Sequence, residues 1–376
     1  MRVFVSTADA SGDLHAAAFL EALRARAGDV DAFGLGGDAL AAAGLRAVVR
    51  QSDLAIAGLV EVLPRAPRIL ASYAALRRAL TQPPPDLAVL VDSPDLNLPL
   101  AAVAKRAGVP VLYYVAPQAW AWRPGRVRKL ARRVDRLAVI FRFEEEWFRA
   151  RGVPATFVGH PLVDRIAAVR AALRPKEVAA ELGLDLERPV LGLLPGSRRN
   201  EVAANLPIML DTARLLLRAH PELQVRLLVA PTLRELWLEL PASVVAVRGR
   251  THAAMAISTA LLAAPGTVTV EAALLGVPLV VAHRVNRLSF ELARRVARVP
   301  SSCMVNLIAG AGVVPERIQS QARPAALAGL LAGLLRDPAA RERMRAGLAT
   351  VAAALGPPGA AGRVADLAVS LARSRA

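Results

Sequence analysis

Asp92 directly follows an apolar strand expected over 86–91, in the stretch VLVDSPDLN that goes on to Asp95 and Asn97. A carboxylate at a strand's carboxyl end, against apolar walls, has a raised pKa and suits a general base. The same Asp-Ser-Pro-Asp run also makes a good turn and helix start. Asp92 and Asp95 do not alternate as Asp-x-Asp, so this is not the pattern of a metal–diphosphate site. Two other loops look built for anions. In LGLLPGSRRNEV a buried strand ends, Gly196 frees the backbone at Ser197 and Arg198, and a helix begins near Asn200. Backbone N–H groups at such a helix start face an anion, and Arg198 adds a bidentate contact; the plainer reading is an ordinary strand-to-helix turn with solvated charges. No Gly-Lys-Ser/Thr follows, so it is not a Walker loop. LLAAPGTVTVEAALLGVPLVV repeats the arrangement, with Gly266 and Thr267 opening a helix that carries Glu271. Thr267 and Glu271 are four apart and share a helix face at about 5–6 Å. A diphosphate at the helix start and ribose hydroxyls one turn deeper would suit a nucleoside diphosphate. The alternative is a glutamate that merely faces solvent.

Three further places carry candidate groups. ADASGD follows the first strand and sets Asp9, Ser11, Gly12 and Asp13 where a loop opens into a helix. Ser and Asp make good N-caps there, and a cap beside a cleft also presents N–H groups. YYVAPQAWAWRPGR gathers two of the four tryptophans, Trp120 and Trp122, beside Gln118 and Arg123. Such residues are usually core, and at a strand end they can form a sugar or acyl wall. His160, in FVGHP, and His283 read first as packed residues. No cluster of His and Cys supports a metal, and no cofactor is expected.

These residues need rigid elements to hold them. Strands are expected over 2–7, 86–91, 109–115 and 137–141, with helices over 13–26, 98–107, 125–133 and 144–151. Polar residues 165–176 read as the crossover to a second half. There the strands are 190–194, 224–230, 244–247, 261–264 and 278–282, with helices after Glu201, Thr251, Thr267 and Asn286. Continuous apolar strands separated by helices imply parallel sheets covered on both faces. The expected architecture is α/β, with two Rossmann-like domains facing a cleft and ligands at the carboxyl ends of the strands. The expected divisions are 1–174, 175–355 and a last helix at 356–376, hinged by GPPGAAG and packing back on the first domain.

Composition agrees. A chain of 376 residues is too long for one ordinary core. Net charge is +17 and favours anionic partners, with phosphates or an acidic membrane face ahead of nucleic acid, because no stripe of aromatics interleaves with the arginines. The lone Cys303 excludes an internal disulfide. No signal peptide is visible, and residues 260–282 are broken by Glu271, Pro265-Gly266 and Pro278, so no bilayer span is expected. Residues 58–80 combine apolar positions with Arg65, Arg68, Arg77 and Arg78, a pattern suited to an acidic lipid interface.

The motifs, in this order, resemble the lipid-A-disaccharide synthase family, glycosyltransferases of the two-Rossmann GT-B fold. The resemblance runs from Val3 to about Gln319 over ASGD, GLVEVL, DSPDLN, YVAPQAWAWR, FVGHPL, LLPGSRRNEV, PGTVTVEA and NLIAGAGVVPERIQ. It implies inverting transfer of a diacylated glucosamine from its UDP derivative to the 6-hydroxyl of a lipid-linked glucosamine 1-phosphate, giving a β-1,6 disaccharide and UDP. By it Asp92 is the base, with Asp9 and Asp13 as further acid/base candidates. Arg198 and the Gly266–Thr267 helix start grip the diphosphate, Glu271 takes the ribose, and Asn306 lines the cleft. Ser11, Gly12, Gln118, Trp122, His160, Gly196, Ser197 and Arg284 complete the substrate-binding set. The resemblance also implies a cytoplasmic enzyme held peripherally at the inner face of the membrane; a homodimer is a further candidate assembly, and no nucleic acid is expected. The chain departs from the family's pattern at Asp9 (usually Glu), Ala57, Arg142, His283 and the run 304–306. Nucleotide-binding elements survive better than those for lipid or acceptor, so a different lipid acceptor is one alternative. A UDP-sugar 2-epimerase of the same architecture is another.

Overall fold

The computed structural model describes residues 1–54, 62–233, 236, 238–285, 291 and 301–374, with the side chains of 62–66 left aside. Residues 58–61 of the expected lipid-facing segment, and the start of the helix expected after Asn286, lie outside that set. Contacts divide the chain into two units, Met1–Pro161 with Gly356–Ala376, and Leu162–Leu355. The division falls after Pro161. The polar stretch expected as a crossover at 165–176 instead holds most of a helix, because Leu162 and Ile166, four apart, both bury in the second unit.

The first unit runs β1 (Arg2–Ser6), α1 (Ala10–Ala27), β2 (Asp31–Gly36), α2 (Asp38–Ala42), β3 (Arg46–Arg50), α3 (Gln51–Leu54), α4 (Val62–Thr81), β4 (Leu87–Val91), α5 (Pro94–Arg106), β5 (Val111–Tyr114), α6 (Arg126–Arg133), β6 (Arg136–Val139), α7 (Arg142–Arg149) and β7 (Ala155–Phe157). All seven strands are parallel, in the order β3-β2-β1-β4-β5-β6-β7. Every residue of β4 and β5 is buried, as strands covered on both faces must be. β2 and β3 were not expected. β2 is glycine-rich: a Cβ at Gly34, at φ 143°, would lie 2.1 Å from the Val5 carbonyl oxygen, so the close strand approach excludes the β-branched residues that announce a strand.

The second unit runs α8 (Leu162–Ala172), α9 (Pro175–Glu181), β8 (Val190–Leu194), α10 (Arg199–Ala219), β9 (Gln224–Leu228), β10 (Val244–Val247), α11 (Thr251–Ala256), β11 (Ala260–Ala263), α12 (Thr267–Leu275), β12 (Leu279–His283), α13 (Met304–Ala309), β13 (Glu316–Ile318), α14 (Pro324–Arg336) and α15 (Pro338–Ala354). Its parallel sheet has the order β10-β9-β8-β11-β12-β13. The last helix, α16 (Ala360–Arg373), belongs to the first unit and packs on α1. Arg26 Nε reaches Asp366 Oδ1 at 2.5 Å, and Arg363 Nε donates to the Val158 carbonyl at 2.7 Å. In each sheet the strand order reverses beside the first strand, between β1 and β4 and between β8 and β11. Doubly wound sheets bind ligands outside the carboxyl ends of the strands at such a reversal.

Candidate functional site

Ser6 of β1 pairs with Leu90 of β4, so the two strands leave the first sheet at neighbouring points and their loops interlock. Asp9 caps α1, its Oδ1 accepting from Gly12 N (2.7 Å) and Ser11 Oγ (2.8 Å), and its Oδ2 accepts from Ser93 Oγ at 2.8 Å. The Ala8 N–H donates back to Ser93 Oγ at 3.1 Å. Underneath, the buried Asn97 amide donates to the carbonyls of Ser6 (3.2 Å), Val91 (3.0 Å) and Asp92 (2.8 Å) and accepts from Ser6 Oγ (2.8 Å). The Tyr113 hydroxyl donates to the Asp92 carbonyl at 2.5 Å. Asn97 thus clamps both strand ends with a single side chain.

The backbone at and near these strand ends is strained. Asp92 (φ 47°), Ser93 (φ 45°), Val115 (φ 64°) and Arg123 (φ 53°) all adopt left-handed conformations without being glycine. Each costs about 1–3 kcal/mol and persists only where its surroundings enforce it, which is commonest at functional sites. The Asp92 carboxyl is raised to about 6, first by burial and second by the negative Asp9 beside it; the Ser93 N–H and the Arg126 charge oppose the shift. A group poised there accepts protons near neutral pH. Arg126 is held in turn by Asp95 at 2.7 Å, and Arg123 and Arg126 stack over the Trp122 ring at 4.6 and 4.9 Å. Trp122 is 38% exposed and Gln118 is exposed, so both offer surface to a ligand.

Asp13, His160 and Glu144 differ from this group. Asp13 is buried, and its oxygens accept from Gly37 N (2.6 Å) and Ala39 N (2.9 Å), so it caps α2 from the neighbouring helix. His160 is buried against Phe141, with ring centroids 5.3 Å apart; burial first, and nearby His15 second, lower its pKa to about 3, so it stays neutral. Nothing in the sequence distinguishes Glu144 within the run Glu144–Glu146. It is the one of the three that α7 buries; burial raises it to about 7 against hydrogen bonds from the Trp120 indole (2.9 Å) and the Phe141 N–H (3.3 Å). It ties the tryptophan loop to the sheet.

In the second sheet Ala263 of β11 pairs with Leu194 of β8, and the two glycine loops emerge side by side. At Gly196 (φ 132°) a Cβ would lie 2.6 Å from the Glu201 Cβ, so only glycine fits. Glu201 fills the loop: Oε2 accepts from Ser197 N at 2.9 Å and Oε1 pairs with Arg198 at 3.2 Å, the Arg198 side chain remaining 78% exposed. An anionic side chain thus engages both groups expected to take phosphate. The start of α12 has no side-chain cap; Gly266 sits at φ 144° with Thr267 exposed, and Thr269 Oγ1 returns to the Gly266 carbonyl at 2.8 Å. Its first N–H groups stand available to an anion. One turn on, Glu271 Oε1 lies 3.2 Å from His252 Nε2, a neighbour no sequence spacing announces.

Arg284 and Asn306 are used structurally. The Arg284 N–H donates to Asn205 Oδ1 at 2.7 Å and its guanidinium to the Ala322 carbonyl at 2.9 Å. Asn306 exchanges bonds with the backbone of Val314, both at 3.0 Å, pinning the loop after α13. The structure therefore gathers Asp9, Ser11, Gly12 and Asp92 at one strand reversal, and Gly196, Ser197, Arg198, Gly266 and Thr267 at the other. Asp13 lies alongside as a cap.

The lipid-A-disaccharide synthetase family profile matches residues 3–355. Among curated relatives, the lipid-A-disaccharide synthase of Geobacter metallireducens is 44% identical over 98% of this chain and 97% of its own length. That of Anaeromyxobacter sp. (strain K) is 43% identical over 97% and 96%. Among solved structures, the calicheamicin glycosyltransferase CalG4 superposes with a TM-score of 0.62 at 17% identity, over 98% of each chain. The UDP-GlcNAc 2-epimerase of Neisseria meningitidis, bound to UDP-GlcNAc, gives 0.64 at 12% identity over 98% of this chain and 99% of its own. At such identities these two report the fold, the paired Rossmann-like sheets of GT-B enzymes.

Proposed function

The chain belongs to the lipid-A-disaccharide synthase family and is a glycosyltransferase of lipid A biosynthesis, and we propose that it is an inverting enzyme joining two acylated glucosamines. The donor is a UDP-2,3-diacylglucosamine, the acceptor hydroxyl is the 6-position of a diacylglucosamine 1-phosphate, and the products are a β-1,6 disaccharide and UDP. Asp92 takes the acceptor proton as the new bond forms. Arg198, the Ser197 N–H and the start of α12 carry the charge developing on the departing diphosphate, and Glu271 receives the ribose hydroxyls. The carrying observation is the carboxyl of Asp92, raised to about 6 on a strained turn at a strand reversal. The test is mass spectrometry of products from the two acylated sugars. A disaccharide with release of UDP supports the reading; no disaccharide, with UDP-N-acetylglucosamine epimerised at C2 instead, sinks it in favour of the isomerase.

We propose further that the enzyme works at the inner, cytoplasmic face of an anionic membrane. No helix among the described residues is long and apolar enough to cross one. A groove of about 430 Å³ between α6 and α7 supports a peripheral contact. Val127, Ala131 and Trp147 line it together with Arg128, Arg132 and Arg151, and Arg151 lies over the Trp147 ring at 3.9 Å. Arg128, Lys129 and Arg132 are exposed and join no ion pair among the described residues. A mixed apolar and cationic face matches acyl chains beneath anionic headgroups. The protein is expected to sediment with vesicles containing phosphatidylglycerol at low salt and much less with phosphatidylcholine alone, and Arg128→Glu with Arg132→Glu to lessen the first. Equal recovery on both vesicles would defeat the electrostatic part.

A further inference from the structure

We infer that His252 is a positioning residue for Glu271, holding the carboxylate in place before a nucleotide arrives. The inference rests on the proposal that Glu271 receives the ribose. The imidazole Nε2 lies 3.2 Å from Glu271 Oε1, and the two side chains are only 18% and 14% exposed. Among the described residues this is the carboxylate's one polar contact. A glutamate has three side-chain torsions, and freezing them on binding costs affinity unless they are already held. A single contact to one oxygen does so and leaves the other oxygen for a diol.

His252 is well placed to be the fixed partner. It lies in the first turn of α11, on a separate element from Glu271, so the two cannot move as one rigid piece. Its own helix is anchored three ways. Thr251 Oγ1 donates to the Val229 carbonyl at 3.1 Å, Arg250 pairs with Glu181 at 2.6 Å, and Ala254 and Met255 are buried in the core at 2% and 0% exposure. With both backbones fixed by buried neighbours, Val270 and Ala272 on one helix and Ala254 and Met255 on the other, the contact between the two side chains limits the rotamers that Glu271 alone would sample. The arrangement parallels the outer partners that orient metal ligands and catalytic imidazoles. Here the oriented group is a carboxylate and its ligand a vicinal diol.

The experiment measures by calorimetry the affinities of UDP and 2′,3′-dideoxy-UDP for the full chain and for His252→Ala, His252→Gln and Glu271→Ala. The unaltered chain should prefer UDP by about tenfold or more, the worth of a hydrogen bond to a charged group. Glu271→Ala should abolish the preference. His252→Ala should reduce it by about threefold or more, through lost preorganisation, while dideoxy-UDP binds as before. His252→Gln, whose amide N–H can donate to the same carboxylate oxygen, should restore most of it. Two results overturn the inference while leaving the ribose reading intact: an unchanged preference in His252→Ala, or an equal loss of both ligands, which would mean that the ring only packs. Preference retained in Glu271→Ala would overturn the ribose reading itself, and the inference with it.

Discussion

Replacing Asp92 by Asn should slow turnover on the order of 10²–10⁴-fold, the range for removing a general base. The amide keeps the shape of the side chain and its place on the left-handed turn, but cannot accept a proton. UDP affinity should change little, because the groups proposed to hold the phosphates belong to the other unit of the chain. A pH profile sharpens the test. The Asp92 carboxyl is raised to about 6, mainly by burial and next by Asp9. It is protonated and inactive below that value and ionised above it, so kcat/KM should fall as pH drops through about 6. In Asp92→Asn that acidic limb should vanish from the residual activity. Normal turnover in the Asn variant, with native lipid acceptor, would reduce Asp92 to part of the turn that leads into α5. Asp9 would then be the next base to try, because it is half-buried beside Asp92 where Asp13 is buried as a cap, and His160, lowered to about 3, is too weak a base near neutral pH.

Arg198→Ala should weaken UDP binding by ~1.5–3 kcal/mol, about 10- to 150-fold, as expected for a hydrogen bond to a charged group. This arginine is paired with Glu201, but its side chain is 78% exposed. Exposed pairs of that kind are worth about 0–1 kcal/mol, so a diphosphate displaces the carboxylate at little cost. The weakening should shrink as salt rises, because an exposed guanidinium is screened. Calorimetry showing the same UDP affinity in the variant at low salt would remove Arg198 from the site.

The apolar strands, the glycine loops and the order of the motifs were legible in the chain itself, because each is a local property. Five or six consecutive apolar residues followed by Pro-Gly can do little except end a buried parallel strand. The resemblance to the lipid-A-disaccharide synthases rested on such stretches, and the family profile and the relatives at 41–44% identity bear it out. β2 was hidden because backbone packing at Gly34 demands the residue that strand patterns exclude. The helix over 162–172 was hidden because its buried face is two residues wide, and its arginines read as a linker.

What the sequence by itself determined is therefore the set of chemical groups and the elements that carry them: a carboxylate after β4, two glycine-led helix starts after β8 and β11, and a basic chain with two of its four tryptophans drawn together at Trp120 and Trp122. Only the tertiary structure decided how those groups are spent. Asp9 and Asp92 are 83 positions apart, and the reversal of strand order sets their loops side by side and lets the charge of one raise the other. Asp13 and Asn306, equally polar and equally well placed by motif, have their hydrogen-bonding atoms taken by backbone groups from other turns. His252 meets Glu271 because α11 and α12 pack together. The physical reason is common to all three: burial and hydrogen bonding are settled between elements far apart in the chain, and a side chain's chemistry depends on which of its atoms those contacts leave to a ligand.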